Sequence, residues 1–220
     1  NAGATYQRLV NRMFKDQLCK TMEVYVDDML VKSRRSNDHI RDLAEMFGIL
    51  RFYGMKINPL KCSFGVASGK FLGFIVNARG IEANPEKIQA IRDVQVPKTV
   101  KQVQSLNGKV AALSRFISRA MDKCIPFFDI IKKGKRNFEW TSNCEEAFRD
   151  LVRHLESPPM LSKPIDHEML YVYLAVSPHA ISAAMVREEH RVQKLVYYIS
   201  KRLTRAERIY PIFEKLAYCL

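Results

Sequence analysis

The chain has 220 residues, 47% hydrophobic and 27% charged, which excludes a disordered or low-complexity protein and leaves room for one large core or two smaller ones. Its formal net charge of +13 favours a polyanionic partner, nucleic acid or an anionic membrane surface, over a merely soluble basic protein. No apolar run is long enough to span a bilayer, and the opening Asn1-Ala2-Gly3-Ala4 has neither the basic nor the apolar stretch of a signal peptide. The absence of an initiator Met makes the chain read as a piece of something longer. Cys19, Cys62, Cys124, Cys144 and Cys219 lie far apart with no C-x-x-C pair, so neither a zinc site nor a disulfide framework is expected, and reduced thiols in an intracellular setting are the plain reading.

In chain order, the spacing predicts a helix over 5–15 with Leu9, Val10, Met13 and Phe14 on one side. Two short apolar runs, 22–26 and 29–31, flank Asp27-Asp28 and predict a β-hairpin. A second helix is expected from a cap at Ser36 or Asn37, through Ile40, Leu43, Phe47 and Leu50, to a stop at Gly54. Residues 71–76 predict a strand, and Asn77-Ala78-Arg79-Gly80 a turn. From about 84 to 157 the pattern is helical. Asn84-Pro85 is a cap with a first-turn proline, Thr99 caps again, and Val103, Leu106, Val110, Leu113 and Ile117 continue an apolar face. Another helix is expected over 143–155. Between Lys98 and Arg136 ten Lys/Arg stand against only Asp122 and Asp129, so the positive charge concentrates there. Pro158-Pro159 is a stiff break. Strands are expected at 169–176, 181–187 and 195–200, and a helix begins near Pro211.

The pair Asp27-Asp28 is the feature with chemistry in it. Adjacent strand residues point to opposite faces, so two neighbouring aspartates serve one site only from a turn. Carboxylates held this close repel, and a divalent cation such as Mg²⁺, hard and oxygen-seeking, compensates them. In two-metal chemistry a pair of ions about 3.5–4 Å apart stabilises both the attacking and the leaving oxygen. Taken alone, Asp-Asp between strands reads first as a solvated turn, because Asp favours turns for its own reasons, and the surrounding sequence overturns that reading.

The surroundings of the pair resemble a known family. Tyr25-Val26-Asp27-Asp28-Met29-Leu30-Val31 resembles the Y-x-D-D hairpin of reverse transcriptases, and Asn1-Ala2-Gly3-Ala4-Thr5-Tyr6-Gln7-Arg8-Leu9 resembles the gypsy-class segment that opens a palm helix. His39 with Asn58, Lys61, Cys62 and Phe64, then Phe71-Leu72-Gly73-Phe74-Ile75-Val76, then Phe138-Glu139-Trp140 with Cys144-Glu145-Glu146-Ala147-Phe148, follow in the family's order. The resemblance is to the polyprotein of gypsy-class LTR retrotransposons of plant type. It implies an α+β fold, a right-hand polymerase fragment followed by a partial RNase H-like α/β domain. The C-terminal palm would occupy 1–83, a helical thumb or connection 84–157, and the beginning of the RNase H-like domain 158–220.

By the same resemblance, the parent protein is an RNA-directed DNA polymerase that extends a primer with dNTPs by two-metal nucleotidyl transfer, using two Mg²⁺ ions. Asp27 and Asp28 would be the catalytic metal ligands. Tyr25, Val26, Phe71, Leu72 and Gly73 would meet the template-primer, with ordinary strand or hairpin packing as the other reading for Val26, Phe71 and Leu72. Lys101, Lys109, Arg115 and Arg119 are candidates to face phosphates from the helical segment, a salt-dependent and sequence-independent contact; any one of them also reads as a solvated surface charge. The family's third aspartate and its fingers lie upstream of the match, so the 220 residues alone are expected not to polymerise. In the RNase H-like segment Ser200-Lys201-Arg202-Leu203, Ala206-Glu207 and Tyr210 match, and Glu214 falls at the second of four carboxylates, but Ala175 stands where the first, an Asp, belongs. Cleavage by that domain is therefore doubtful, and a structural connection is the expectation, with Glu214 a plain surface carboxylate. The implied partners are an RNA/DNA template-primer duplex, dNTPs and the rest of the polyprotein, not a membrane, and the expected place is a cytoplasmic particle or the nucleus. The competing reading is a non-catalytic basic remnant that binds nucleic acid.

Overall fold

The computed structural model describes residues 2–134 and 138–220. Asn1 of the first matched segment, and Lys135 and Arg136 of the basic stretch, lie outside the described residues. The chain divides into two compact units, one up to Val76 and one from Asn77 to Leu220.

In the first unit α1 (Ala2–Met13) turns Val10 and Met13 inward and hands over to Phe14, which is fully buried. Their core partners are Met22 and Val24 of the first strand and Met46 and Leu50 of the second helix. Leu9, expected on the same stripe, is 43% exposed at its flank. Strands β1 (Met22–Tyr25) and β2 (Asp28–Val31) pair antiparallel from Met22↔Val31 to Tyr25↔Asp28. Alternation along β1 puts Met22 and Val24 inside and Tyr25 outside.

The second helix, α2 (His39–Phe52), follows a single 3-10 turn at Ser36–Asp38. Neither Ser36 nor Asn37 caps it; Asp38 precedes the helix without a side-chain cap. Its inward row is Asp42, Met46 and Leu50 at i, i+4 and i+8, so Ile40 is left 80% exposed. Asp42 tolerates burial because Ser33 Oγ donates to its Oδ2 at 2.7 Å. Gly54, at φ 64, ends the helix, its N–H donating to Arg51 O.

Residues 71–76 are two strand ends and a turn, not one strand. β3 (Ser68–Phe71) stops at Leu72-Gly73, and β4 (Phe74–Asn77) returns beside it. Both turn residues have positive φ, 52 and 75, as a tight two-residue hairpin demands. An apolar run hides such a reversal when only its second residue is glycine.

The second unit begins with the expected turn, in which Asn77 Oδ1 accepts from the backbone N–H groups of Arg79 and Gly80. β5 (Gly80–Ala83) then pairs antiparallel with β6 (Leu161–Ser162). Gly80, at φ 149, lies so close to β6 that a Cβ would stand 1.9 Å from Leu161 O. Between these strands run α3 (Pro85–Arg92), α4 (Val100–Ala111), α5 (Ala120–Lys123), α6 (Ile125–Lys133) and α7 (Ser142–His154). Asn84 and Thr99 cap α3 and α4 as expected, accepting from Glu86 N and Gln102 N. Val103, Leu106, Val110, Leu113, Ile117 and Phe127 are buried, and Phe127 stacks on Trp140 with ring centroids 5.6 Å apart.

The C-terminal sheet has the order β7 (Leu170–Val176), β8 (Ala180–Glu189), β9 (Val192–Arg202). It is antiparallel throughout, with a bulge at Met185/Val186. α8 (Ile212–Cys219) covers one face, where Ile181, Leu203 and Cys219 pack with Leu174, Val176 and Ala183. The other face meets the helices: Met121 N–H donates to Ser200 Oγ at 3.2 Å, and the Arg202 guanidinium lies 4.5 Å over the Phe128 ring. Among the described residues no helix is long and apolar enough to cross a membrane.

Candidate active site

The β1–β2 turn consists of Val26 and Asp27, since Tyr25 and Asp28 already pair. Such a loop calls for positive φ, normally supplied by glycine or asparagine. Here Val26 has φ 49. A β-branched residue held there costs of order 1–3 kcal/mol and persists only where its surroundings over-determine it. What surrounds it is Gln7 of α1. Gln7 Oε1 accepts the Val26 N–H at 2.5 Å, and its Nε2 donates to Val24 O at 3.2 Å and to Asn11 Oδ1 at 2.8 Å.

The turn holds Asp27 and Asp28 out at its tip, both exposed. Among the described residues no side chain hydrogen-bonds or ion-pairs with either carboxylate; Lys32, at the other end of the hairpin, pairs with Glu23 at 2.7 Å. Tyr25 is 56% exposed beside them. The donor set is two hard oxygen ligands with no competing cation, which fits Mg²⁺ as a shared ligand pair. Among the described residues no group of three or more His, Cys, Asp or Glu is placed to hold a metal.

Leu72, 42% exposed, and Gly73 form the tip of the second hairpin, with Phe71 half-buried at its base. Strand β3 of that hairpin lies against β2, which brings the sequence-predicted Phe71-Leu72-Gly73 segment next to the Asp hairpin's own strand.

The four basic candidates are all in the second unit and differ in what they do. Lys101 is exposed in the first turn of α4. Lys109 reaches back, its Nζ donating to Ala90 O at 2.8 Å, and so ties α4 to α3. Arg115 lies 5.4 Å over the Tyr197 ring. Arg119, itself at φ 52, bonds Asp122 Oδ2 through Nε at 3.1 Å.

In the C-terminal sheet Ala175 pairs with Ser182, and Glu214 is exposed in the first turn of α8. The groups α8 buries are Lys215, whose Nζ donates to Arg208 O, and Cys219, whose thiol donates to Ser182 O at 3.1 Å. All five cysteines are free. Burial pushes the Cys124 thiol up to about 12, which keeps it protonated and inert as a nucleophile.

Sequence reasoning gave Gln7 no role. The available signal was its place on the buried stripe: Gln7 lies at i−3 from Val10 and i−7 from Phe14, both fully buried. A polar residue on such a stripe needs a partner.

Residues 1–76 match the family described as "Reverse transcriptase (RNA-dependent DNA polymerase)". Residues 140–220 match the "RNase H-like domain found in reverse transcriptase". The chain is 26% identical over 225 residues to the retrovirus-related Pol polyprotein from transposon opus of Drosophila melanogaster, covering 98% of this chain and 22% of that protein. Against the transposon Tf2-3 polyprotein of Schizosaccharomyces pombe the identity is 24% over 216 residues, covering 97% and 16%. The chain thus spans about a fifth of the length of these curated relatives. Its fold matches the foamy viral protease-reverse transcriptase solved with RNA/DNA hybrid, at TM-score 0.83 and 24% identity over 100% of this chain and 30% of that one. The foamy viral protease-reverse transcriptase dRH in complex with ds DNA also matches at TM-score 0.83 and 24% identity, over 100% and 38%. The fold is α+β, a reverse-transcriptase polymerase fragment followed by an RNase H-like domain. Residues 1–76 and 140–220 are thus similar to the reverse-transcriptase and RNase H-like parts of retrotransposon and retrovirus-related Pol polyproteins.

Proposed function

We propose that this chain is the catalytic-hairpin part of a gypsy-class RNA-directed DNA polymerase, with the palm ending near residue 83 and a helical thumb or connection over 84–157. The observation that carries the reading is the exposed, unpaired Asp27-Asp28 pair on a clamped hairpin, within the segment that matches reverse transcriptases. In the reaction the primer's 3′-hydroxyl oxygen bonds to the α-phosphorus of a dNTP, the bond to the bridging oxygen breaks, and pyrophosphate leaves with the hydroxyl proton passing to solvent. Asp27 and Asp28 would hold Mg²⁺, two ions in the full site, whose charge stabilises the attacking and leaving oxygens. Tyr25, Val26 and the Phe71-Leu72-Gly73 hairpin position the primer end, which removes an entropic barrier. Lys101, exposed in the first turn of α4, tracks duplex phosphates, whereas Lys109, Arg115 and Arg119 are engaged within the protein. Two carboxylates are an incomplete ligand set, so the 220 residues alone do not extend a primer.

The RNase H-like segment acts as a structural connection without cleavage chemistry. Ala175 has no ligand atom, Glu214 is solvent-exposed, and the sheet is fastened to the helices through Ser200 and Arg202. The test of the main reading is Mg²⁺-dependent primer extension on an RNA template by a longer Pol polypeptide containing this chain, beside its Asp27→Asn variant. Wild type extends, and Asp27→Asn falls by about 10³-fold, the several kcal/mol of charge stabilisation a metal supplies. If neither extends and both bind duplex in a salt-dependent manner, the chain is a basic nucleic-acid-binding remnant.

A further inference from the structure

The geometry points to Gln7 as a positioning residue for the carboxylate pair: its side-chain amide holds Val26 in the left-handed conformation and so fixes where Asp27 and Asp28 stand. The inference rests on the polymerase reading for its consequence, but not for its geometry.

One planar amide meets two backbone groups that flank Tyr25. Oε1 takes the Val26 N–H, and Nε2 gives to Val24 O. The second Nε2 proton goes to Asn11 Oδ1, one helical turn along α1. The orientation of the amide is therefore determined, because a flipped Gln7 would set donor against donor at Val26 and acceptor against acceptor at Val24. The bonds act where the hairpin ladder ends, since Tyr25↔Asp28 is its last pair. Beyond that pair Val26, at φ 49, has a β-branched side chain opposing the conformation it occupies. Release of its N–H lets the residue relax toward negative φ, which swings the next residue, Asp27. α1 is a firm base for the clamp, because Val10, one turn after Gln7, is fully buried in the unit's core. No other residue type offers an acceptor and a donor in one plane at that reach. Glutamate would keep the Val26 bond and set its second oxygen against Val24 O, and methionine would keep the length and lose both bonds.

The experiment has two arms. In the longer Pol polypeptide, Gln7→Met lowers kcat for primer extension by about 10²-fold, the cost of misplacing a reacting group by about 1 Å. The KM for dNTP and the Kd for duplex stay within about twofold, because no binding group is lost. In the 220-residue chain, amide hydrogen exchange at Val26 speeds by at least about tenfold in Gln7→Met, the loss of a hydrogen bond worth about 1.4 kcal/mol or more. Asn11→Ala, which removes only the anchor of the amide, gives smaller changes of the same sign and serves if Gln7→Met does not fold. Unchanged kcat together with unchanged Val26 exchange overturns the inference, as does a loss of kcat that leaves Val26 exchange unchanged. If the wild-type polypeptide extends no primer, the polymerase reading fails, while the exchange arm still decides whether Gln7 holds the turn.

Discussion

Two hairpins of the chain treat polar groups in opposite ways. β1–β2 has four-residue strands and a strained turn, and it leaves Asp27 and Asp28 exposed with no partner among the described residues. β7–β8 has strands of seven and ten residues, with Ala175 in place of the expected acid. Its turn residue Ser177 donates to Asp122 Oδ1 at 2.6 Å and accepts from His179 N and Ala180 N. Asp122 is completed by Arg119. Unpaired carboxylates side by side cost stability and persist where chemistry uses them. Saturated ones serve architecture.

If that contrast is sound, substitutions in the second unit damage stability and those at the Asp pair do not. The largest effect is expected for Gly80→Ala, whose new Cβ meets Leu161 O at 1.9 Å. It lowers stability by about 4 kcal/mol, the range reserved for strain and overpacking, as read by denaturant unfolding. Next is Asp122→Ala, which removes the acceptor of Ser177 and Arg119 and costs about 1.5–3 kcal/mol. Asp27→Ala, in the same assay, stays within about 0.5 kcal/mol of wild type. Equal losses at Asp27 and Asp122 would erase the distinction between the hairpins.

The smallest effect is pH-dependent and concerns Glu168. Burial pushes its carboxyl upward, but the Ile165 N–H and the Arg187 guanidinium beside it together hold it below the ordinary value near 4.5. A carboxylate lowered in the folded state contributes stability that is complete above the ordinary value and is lost as pH falls through the lowered one. The stability gap between wild type and Glu168→Gln is therefore full at pH 7 and closes below about pH 4.5, measured by unfolding across that range. A gap independent of pH would show that packing, not charge, is what Glu168 supplies.

Much of this was legible in the sequence. Asn84-Pro85 and Thr99 mark helix starts by side-chain chemistry that is local, so they needed no tertiary knowledge. The Asp hairpin was visible for the same reason. Ile40 was misplaced because Asp42 took the inward position, a choice settled by Ser33 from outside the helix. The reversal at Leu72-Gly73 was hidden by an apolar run with helical, strand and turn readings alike. The inward reach of Lys109 and the Gln7 clamp depend on partners 19 and 17 or 19 residues away, and no periodicity reports them.

The pairing of Gly80 with Ser162 also bears on descent. Helices α3 to α7 leave and return through one pair of adjacent strands, and are fastened again to β9 through Met121 and Ser200. A crossover between two related elements that falls inside this stretch joins a β5 to a foreign β6, and an α5 to a foreign sheet. Exchanges that survive are expected to carry β5, the helices that follow it, β6 and β9 as one inherited block.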